Sequence, residues 1–219
     1  MSQKIVFAYR VKSDTGFAPC VDGAFLSLVC CKGGWKNGVQ TGIRYWIGEG
    51  IKDGLRFDWR TDNVYLMGLY NSQLLYFARV TDVMPMEEYF KKYLDRKDCI
   101  YTVKKDGGWI DRKGVYSPHR GNEDRMNQDK YGVYALRSEK EHFIYLGEKS
   151  GDLGALPQKY TLPDSRTIPP ITGKDADLLV TWFGDLTKKH GYGAIGKPHS
   201  SFGRPCEEKQ NSKRDCGGC

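Results

Sequence analysis

The sequence predicts a single α+β domain with a mixed or barrel-like β-sheet and a few helices. The chain has 219 residues, which is enough for a sizeable core and favours one domain over two. Fourteen Tyr and 26 Gly favour short strands joined by tight turns, because Tyr fits a pleated strand and Gly adopts turn conformations. The strand and turn signals follow one another too closely for a series of βαβ units.

Strands are predicted where β-branched and aromatic residues cluster between turn signals. These segments are 5–11, 24–31, 43–48, 74–81, 133–137 and 142–146. Asn37-Gly38, within a Gly-rich stretch, is a hairpin-turn signal. Apolar residues at three- and four-residue spacing predict one helix that begins at Pro85, and residues 178–186 are predicted to form another.

The last residues differ in composition from the rest of the chain. Residues 204–219 are charged, polar, Gly or Cys and have no apolar periodicity, so we predict a flexible Cys-containing tail. Residues 1–203 are assigned to the domain. Cys206, Cys216 and Cys219 could provide zinc ligands together with His199. A lone Cys-x-x-Cys pair at the chain end favours a redox-sensitive tail instead, and we predict no bound metal.

Composition limits the partners and the compartment. The formal net charge of +7 favours an anionic partner such as a nucleotide or nucleic acid. No apolar run approaches the roughly 20 residues that span a bilayer, so no membrane partner is predicted. The opening apolar segment is too short for a signal peptide, which predicts a cytoplasmic protein. Seven Cys, an odd number, then predict reduced thiols.

The loop at 14–19 is the first candidate binding segment. The Asp14 carboxylate suits a base edge or ribose hydroxyls, and Thr15 and Ala18 belong to the same loop. Phe17 has a ring that stacks on a base. The alternative is a tight turn in which Asp14 caps its own backbone and Phe17 belongs to the core.

Cationic and mixed polar residues form the second candidate group. Arg10 ends the first strand and Lys32 follows a buried run, and both suit phosphate, although a solvated Lys32 is the alternative. Tyr116, His119 and Arg120 share a polar loop whose imidazole and guanidinium suit an anion. The alternative for this loop is an ordinary exposed surface.

Motifs that would identify a reaction are absent from the sequence. It contains no phosphate-cradling Gly-rich motif, no His-Glu-x-x-His zinc motif and no local nucleophile signature around Ser or Cys. We therefore favour binding over catalysis and predict no cofactor.

Several segments, in order, carry a family resemblance. Residues 9–19, with the Asp-x-Gly-Phe-Ala-Pro loop, precede Cys31-Lys32, and further matching segments follow. These further segments are 45–48, 75–81, 88–90, 115–116, 143–147 and 156–157. Together they resemble the second type of nucleotide-modification-associated domain, over about residues 5–200. The chain departs from the family pattern at Cys20 and around Gly33–Gly42.

The resemblance implies a bacterial or phage protein associated with modified-base systems. Its strand pattern is similar to the PUA- or EVE-like barrels that read modified bases. We expect binding of a modified base, nucleotide or nucleic acid in a pocket of aromatic, Asp and Arg/Lys residues. One alternative is a phage anti-defence sponge that sequesters a nucleotide immune signal without cleavage, and formation of a homo-oligomer would favour it. The other is a nucleotide- or base-modifying enzyme with His119 and Asp14 as acid–base groups.

Overall fold

Two β-sheets organise the chain in the computed structural model, which describes residues 2–157 and 168–200. The described strands are β1 (Lys4–Arg10), β2 (Cys20–Asp22), β3 (Phe25–Leu28), β4 (Gly34–Lys36), β5 (Val39–Thr41), β6 (Ile51–Lys52), β7 (Leu55–Arg56), β8 (Asn63–Tyr70), β9 (Gln73–Arg79), β10 (Asp82–Pro85), β11 (Tyr101–Val103), β12 (Trp109–Asp111), β13 (Tyr134–Glu139), β14 (Phe143–Tyr145) and β15 (Gly193–Ala194). The described α-helices are α1 (Ile43–Glu49), α2 (Met86–Lys92), α3 (Glu123–Tyr131), α4 (Ser150–Leu153) and α5 (Gly173–His190). The predicted α+β class is confirmed.

The larger sheet has the strand order β1-β8-β9-β14-β15 and is mixed. β1 runs parallel to β8 and β15 parallel to β14, whereas β8, β9 and β14 are antiparallel neighbours. The second sheet, β10-β13-β3-β2, is antiparallel throughout. The prediction was a mixed or barrel-like sheet. A mixed sheet is observed, since neither sheet closes into a barrel within the described ranges.

Strand β1 is buried on both faces. Its alternate residues Ile5 and Phe7 pack in a cluster with residues of β3 and β13, so this face meets the second sheet. Val6 and Ala8 point the other way and pack with residues of α5. Burial on both faces explains why β1 reads as a nearly continuous apolar run. Arg10, at the end of β1, is exposed.

The segment predicted as a strand at 43–48 is helical, and that prediction was wrong. Ile43 and Ile47 lie one helical turn apart and are buried in the same cluster, while Arg44 between them is fully buried. Gly50 ends α1 in the left-handed conformation, with φ of 66°, and its N–H bonds back to the last turn. Two aromatic residues gave the segment its strand character, but packing against the core determined the helix.

Most other predicted elements are present. Asn37 and Gly38, with φ of 52° and 79°, form the turn of the β4–β5 hairpin. α2 begins directly after Pro85, as predicted, and α5 is longer than the predicted segment at 178–186.

Two further predictions concern the C-terminal tail and the membrane. The tail at 204–219, with all its cysteines, lies outside the described residues. Within the described part of the chain, no helix is both long and apolar enough to cross a bilayer.

Candidate functional site

A cavity of about 370 Å³ lies beside the C-terminal end of β1 and the start of α1. Three cationic side chains line it: Arg10, Lys12 and Lys32. Arg10 and Lys12 are exposed and Lys32 is partly buried, so the positive charge is presented toward solvent. The lining residues in the described ranges include no Asp or Glu. A concave basic surface of this kind attracts anions.

Aromatic and aliphatic side chains provide the rest of the lining. Phe7, Tyr9, Trp46 and Ile43 are the larger ones. The Lys52 ammonium lies 3.8 Å from the centroid of the Trp46 ring, which holds that indole in place by a cation–π contact.

Tyr9 contributes a neutral phenol to this lining. Its hydroxyl is hydrogen-bonded to the Tyr76 hydroxyl, and burial raises the pKa of Tyr9. The Lys32 ammonium lies 4.7 Å from the Tyr9 ring centroid. Tyr9 and Lys32 thus form one wall that combines a ring and a cation.

An unusual backbone turn brings Lys32 to the cavity. Cys31 and Lys32 both adopt left-handed conformations, with φ of 63° and 56°. The backbone of Gly33 packs so closely that a Cβ at this position would lie 2.3 Å from the carbonyl oxygen of Gln128. Gly42, with φ of 105°, packs as closely, since its Cβ would lie 2.2 Å from the Lys32 carbonyl oxygen. The turn directs the Cys31 side chain into the protein interior and the Lys32 side chain toward the cavity.

A buried polar network centred on Asp129 adjoins this turn. The Asp129 carboxylate accepts a hydrogen bond of 2.8 Å from the Tyr101 hydroxyl and another from the backbone N–H of Cys31. Its Oδ2 also lies 2.7 Å from His119 Nδ1. Because a carboxylate only accepts, Nδ1 carries the hydrogen and Nε2 is left to face the Cys31 thiol at 3.8 Å. Burial, reinforced by Asp129, raises the pKa of Tyr101 and keeps its hydroxyl a donor.

Arg44 joins this network from α1. Its guanidinium donates to the carbonyls of Cys31 at 2.7 Å, Tyr134 at 2.8 Å and Asp129 at 2.5 Å. Burial lowers the pKa of Arg44, whereas the negative charge of Asp129 acts in the opposite direction. The buried cation ties α1, α3 and the turn after β3 together.

Asp14 occupies a separate buried network. Its carboxylate accepts a hydrogen bond of 2.6 Å from the Tyr145 hydroxyl and lies 2.9 Å from His199 Nδ1. His199 Nε2 in turn lies 3.3 Å from the Ser150 hydroxyl. Asp14 also accepts from the Gly16 N–H at 3.4 Å, which is the self-capping turn considered as an alternative.

The sequence-predicted site residues therefore fall into separate groups. Arg10 and Lys32 meet at the cavity, whereas Phe17 lies edge-on to His119, with 5.6 Å between the ring centroids. Tyr116 and Arg120 are exposed, and Arg120 donates to the carbonyls of Arg112 and Val115. Thr15 and Ala18 are partly buried beside the Asp14 turn. The lining of the described cavity includes none of Asp14, Thr15, Phe17, Ala18, Tyr116, His119 or Arg120, and their contact with a ligand stays a prediction.

Other residues of the site were missed. Lys12 and Trp46 line the cavity, but Lys12 looked like an ordinary strand-end lysine and Trp46 like part of a strand. Asp129 lies in a mostly polar helix, and 98 residues separate it from Cys31. A buried carboxylate in such a segment has no local signal, because its burial depends on partners distant in the sequence.

Comparisons with known proteins identify the family. Neither a curated protein nor a solved structure matches the chain. The described residues contain no group of three His, Cys, Asp or Glu residues arranged to hold a metal ion. The family described as nucleotide modification associated domain 2 matches residues 3–203. The chain therefore belongs to the nucleotide modification associated domain 2 family.

Proposed function

We propose that the cavity beside β1 binds a phosphorylated, ring-bearing ligand, either a free nucleotide or one nucleotide unit of a nucleic acid. The observation that carries this proposal is the meeting of three cations and several aromatic rings around one cavity, with no described acidic residue in its lining. The association of the family with nucleotide modification supports the same ligand class.

The phosphate contacts are assigned to Arg10, Lys12 and Lys32. Arg offers a planar fork of donors for two phosphate oxygens, whereas Lys acts as a point charge. Lys12 is exposed, so its charge is hydrated in the absence of a ligand. Lys32 lies deeper, over the Tyr9 ring, and its charge is less screened there.

The base is assigned to the aromatic part of the lining. Trp46, which is only partly buried, offers ring surface, and base–aromatic stacking contributes about 1–3 kcal/mol per base. A volume of about 370 Å³ falls at the small end of the roughly 300–1,000 Å³ range of small-molecule sites. This size suits a single nucleotide rather than a duplex.

Isothermal titration against nucleoside 5′-monophosphates, with ordinary and modified bases, tests the proposal. Matched nucleosides without phosphate serve as the ligand control. Lys12→Ala removes one charge-assisted contact of about 1.5–3 kcal/mol, so Kd should rise by about 10- to 150-fold. Lys36→Ala, an exposed lysine of β4 that does not line the cavity, should leave Kd unchanged. Equal effects of the two variants, or no heat with any nucleotide, would rule the cavity out.

Sequestration without cleavage is a second candidate function. It is favoured because the side chains that line the described cavity include no carboxylate, imidazole or thiol. Incubating the protein with a nucleotide that it binds and then releasing the ligand by heat should return that ligand intact. A chemically altered product would exclude sequestration and favour an enzyme.

The salt dependence of binding separates a free nucleotide from a nucleic acid. Each phosphate contact with a polymer releases condensed counterions, so affinity for DNA falls steeply with salt. A single nucleotide should show a shallow slope with the same protein.

A further inference from the structure

Three buried side chains from distant parts of the sequence form a linear relay beside the cavity. Cys31 follows β3, His119 belongs to the loop before α3, and Asp129 lies in α3. Their exposed fractions are 2%, 4% and 0%. Cys31 Sγ lies 3.8 Å from His119 Nε2, and His119 Nδ1 lies 2.7 Å from Asp129 Oδ2.

The order of atoms in this relay is the one that activates a thiol. Asp129 holds the imidazole in the tautomer whose Nε2 can accept the thiol proton. Transfer of that proton leaves a thiolate beside an imidazolium, and the thiolate is the nucleophilic form of cysteine. The buried Arg44 guanidinium, bonded to the Cys31 carbonyl, adds a positive charge near the thiolate.

Cys99 has a contrasting environment. Its thiol lies 3.5 Å from the Phe90 carbonyl oxygen, and burial raises the pKa of Cys99 to about 11. A thiol in such surroundings stays protonated at neutral pH. Cys99 therefore provides a matched buried control for Cys31.

The backbone connects the relay to the proposed ligand. Cys31 has a left-handed conformation although it carries a side chain, and such strained positions are common at functional sites. The next two residues, Lys32 and Gly33, line the cavity. Tyr9, another lining residue, has a pKa that burial raises and the Tyr76 hydrogen bond lowers, and Tyr9 is close enough to Cys31 for a negative charge on that thiol group to raise the pKa further.

We infer that Cys31 is the nucleophile of an acyl-transfer site, with an acyl-bearing form of the cavity ligand as its substrate class. This inference rests on the proposed function for the identity of that ligand. The thiolate attacks the carbonyl carbon of an amide or ester, so that a C–S bond forms and the bond to the leaving nitrogen or oxygen breaks. His119 gives its proton to the leaving group. His119 then takes a proton from water as the water attacks the thioester, which releases the carboxylic acid and restores the Cys31 thiol.

Acylation by p-nitrophenyl acetate tests the nucleophile without any knowledge of the natural ligand. The full-length chain is used with Cys206, Cys216 and Cys219 replaced by serine, since these three thiols lie outside the described residues. One equivalent of p-nitrophenolate should be released in a burst, and peptide mapping should find the acetyl group on Cys31. Cys31→Ser and His119→Gln should each slow the burst at least 10-fold, whereas Cys99→Ala should not.

Where a burst is observed, either of two results would overturn the inference. One is a burst that persists in folded Cys31→Ser, and the other is a burst-phase acetyl group that maps to a residue other than Cys31 in the parent protein. The acetylation site is mapped by peptide analysis of the parent protein, so this result tests the role of Cys31 even where a variant fails to fold. Absence of any burst or of any acetylated Cys31 counts against the inference equally.

Asp129 acts through His119 and is a positioning residue. Among the described residues, the titratable groups around the pair include Asp129 from α3, Tyr101 from β11, Arg44 from α1, Tyr9 from β1 and the neighbouring Cys30. Asp129→Asn removes the charge that stabilises the imidazolium, so the pH profile of the acylation rate should move. An unchanged profile in the folded variant would assign Asp129 a structural role only.

Binding and acylation have separate readouts. Lys12→Ala should weaken nucleotide binding, whereas Lys36→Ala, which lies outside the cavity lining, should leave both nucleotide binding and acylation of Cys31 by p-nitrophenyl acetate unchanged. Nucleotide binding without acylation would refute only the role of Cys31 as a nucleophile. Acylation without nucleotide binding would refute only the proposed nucleotide ligand. A bound nucleotide should slow acylation, because Lys32 and Gly33, which follow Cys31 in the chain, line the cavity.

Discussion

Replacement of Arg44 by methionine tests whether the buried cation holds the site together. The Arg44 side chain is fully buried and donates to the carbonyls of Cys31, Tyr134 and Asp129. A methionine side chain at this position would fill part of the volume but would leave these carbonyls without that donor. It would also remove the positive charge that the guanidinium places near the Asp129 carboxylate. Removal of one partner from a buried charge network costs about 3–5 kcal/mol, which is a large share of a domain's stability of about 5–15 kcal/mol.

Urea unfolding followed by tryptophan fluorescence and circular dichroism measures this loss. Arg56→Met, at an exposed arginine of β7, is the matched control and should change the free energy of unfolding by less than about 0.5 kcal/mol. A loss below about 1 kcal/mol for Arg44→Met would refute the reasoning. It would mean that water or neighbouring side chains satisfy the three carbonyls as well as the guanidinium does.

Three further predictions concern stability and use the same unfolding assay. Gly132→Ala places a Cβ 2.1 Å from the guanidinium carbon of Arg44 and should lower the free energy of unfolding by about 1–3 kcal/mol. Its counterpart Gly184→Ala, in α5 with open space around it, should raise the free energy of unfolding by about 0.5–1 kcal/mol. Tyr145→Phe removes the hydroxyl donor to Asp14 and should cost about 1.5–3 kcal/mol; a neutral result would show that this bond contributes nothing. Burial raises the pKa of several tyrosines, so the folded chain keeps protons that the unfolded chain loses from about pH 10; the contribution of these tyrosines to stability should be constant below that pH and be lost above it. These are Tyr9, Tyr76, Tyr89, Tyr101 and Tyr145. A urea midpoint that is unchanged at higher pH would contradict this.

The fold was predictable where local chemistry and burial agree. β1 combines β-branched and aromatic residues with burial on both faces, and Asn37-Gly38 has the backbone conformations that its hairpin turn requires. The helix at 43–49 was mistaken for a strand because its stabilising features are tertiary. Its buried Arg44 finds its partners 13 to 90 residues away.

The site was predictable only in its chemical character. Arg10 and Lys32 were expected to meet an anion, and the structure brings both to one cavity. Asp14 and His119 were expected to share a pocket, yet each has its own buried partner, Tyr145 for one and Asp129 for the other. Hydrogen bonds between residues far apart in the chain leave no pattern in a single sequence, so the Cys31 relay could not be anticipated.

Residue-resolved labelling of lysine amines tests the central claim most directly. The protein is acetylated with and without the nucleotide that binds most tightly in titration, and the extent of modification of each lysine is read by mass spectrometry. Bound nucleotide should protect Lys12 and Lys32, which line the cavity, and should leave the labelling of Lys36 on β4 unchanged. Equal labelling of all three lysines with and without a bound nucleotide would contradict it.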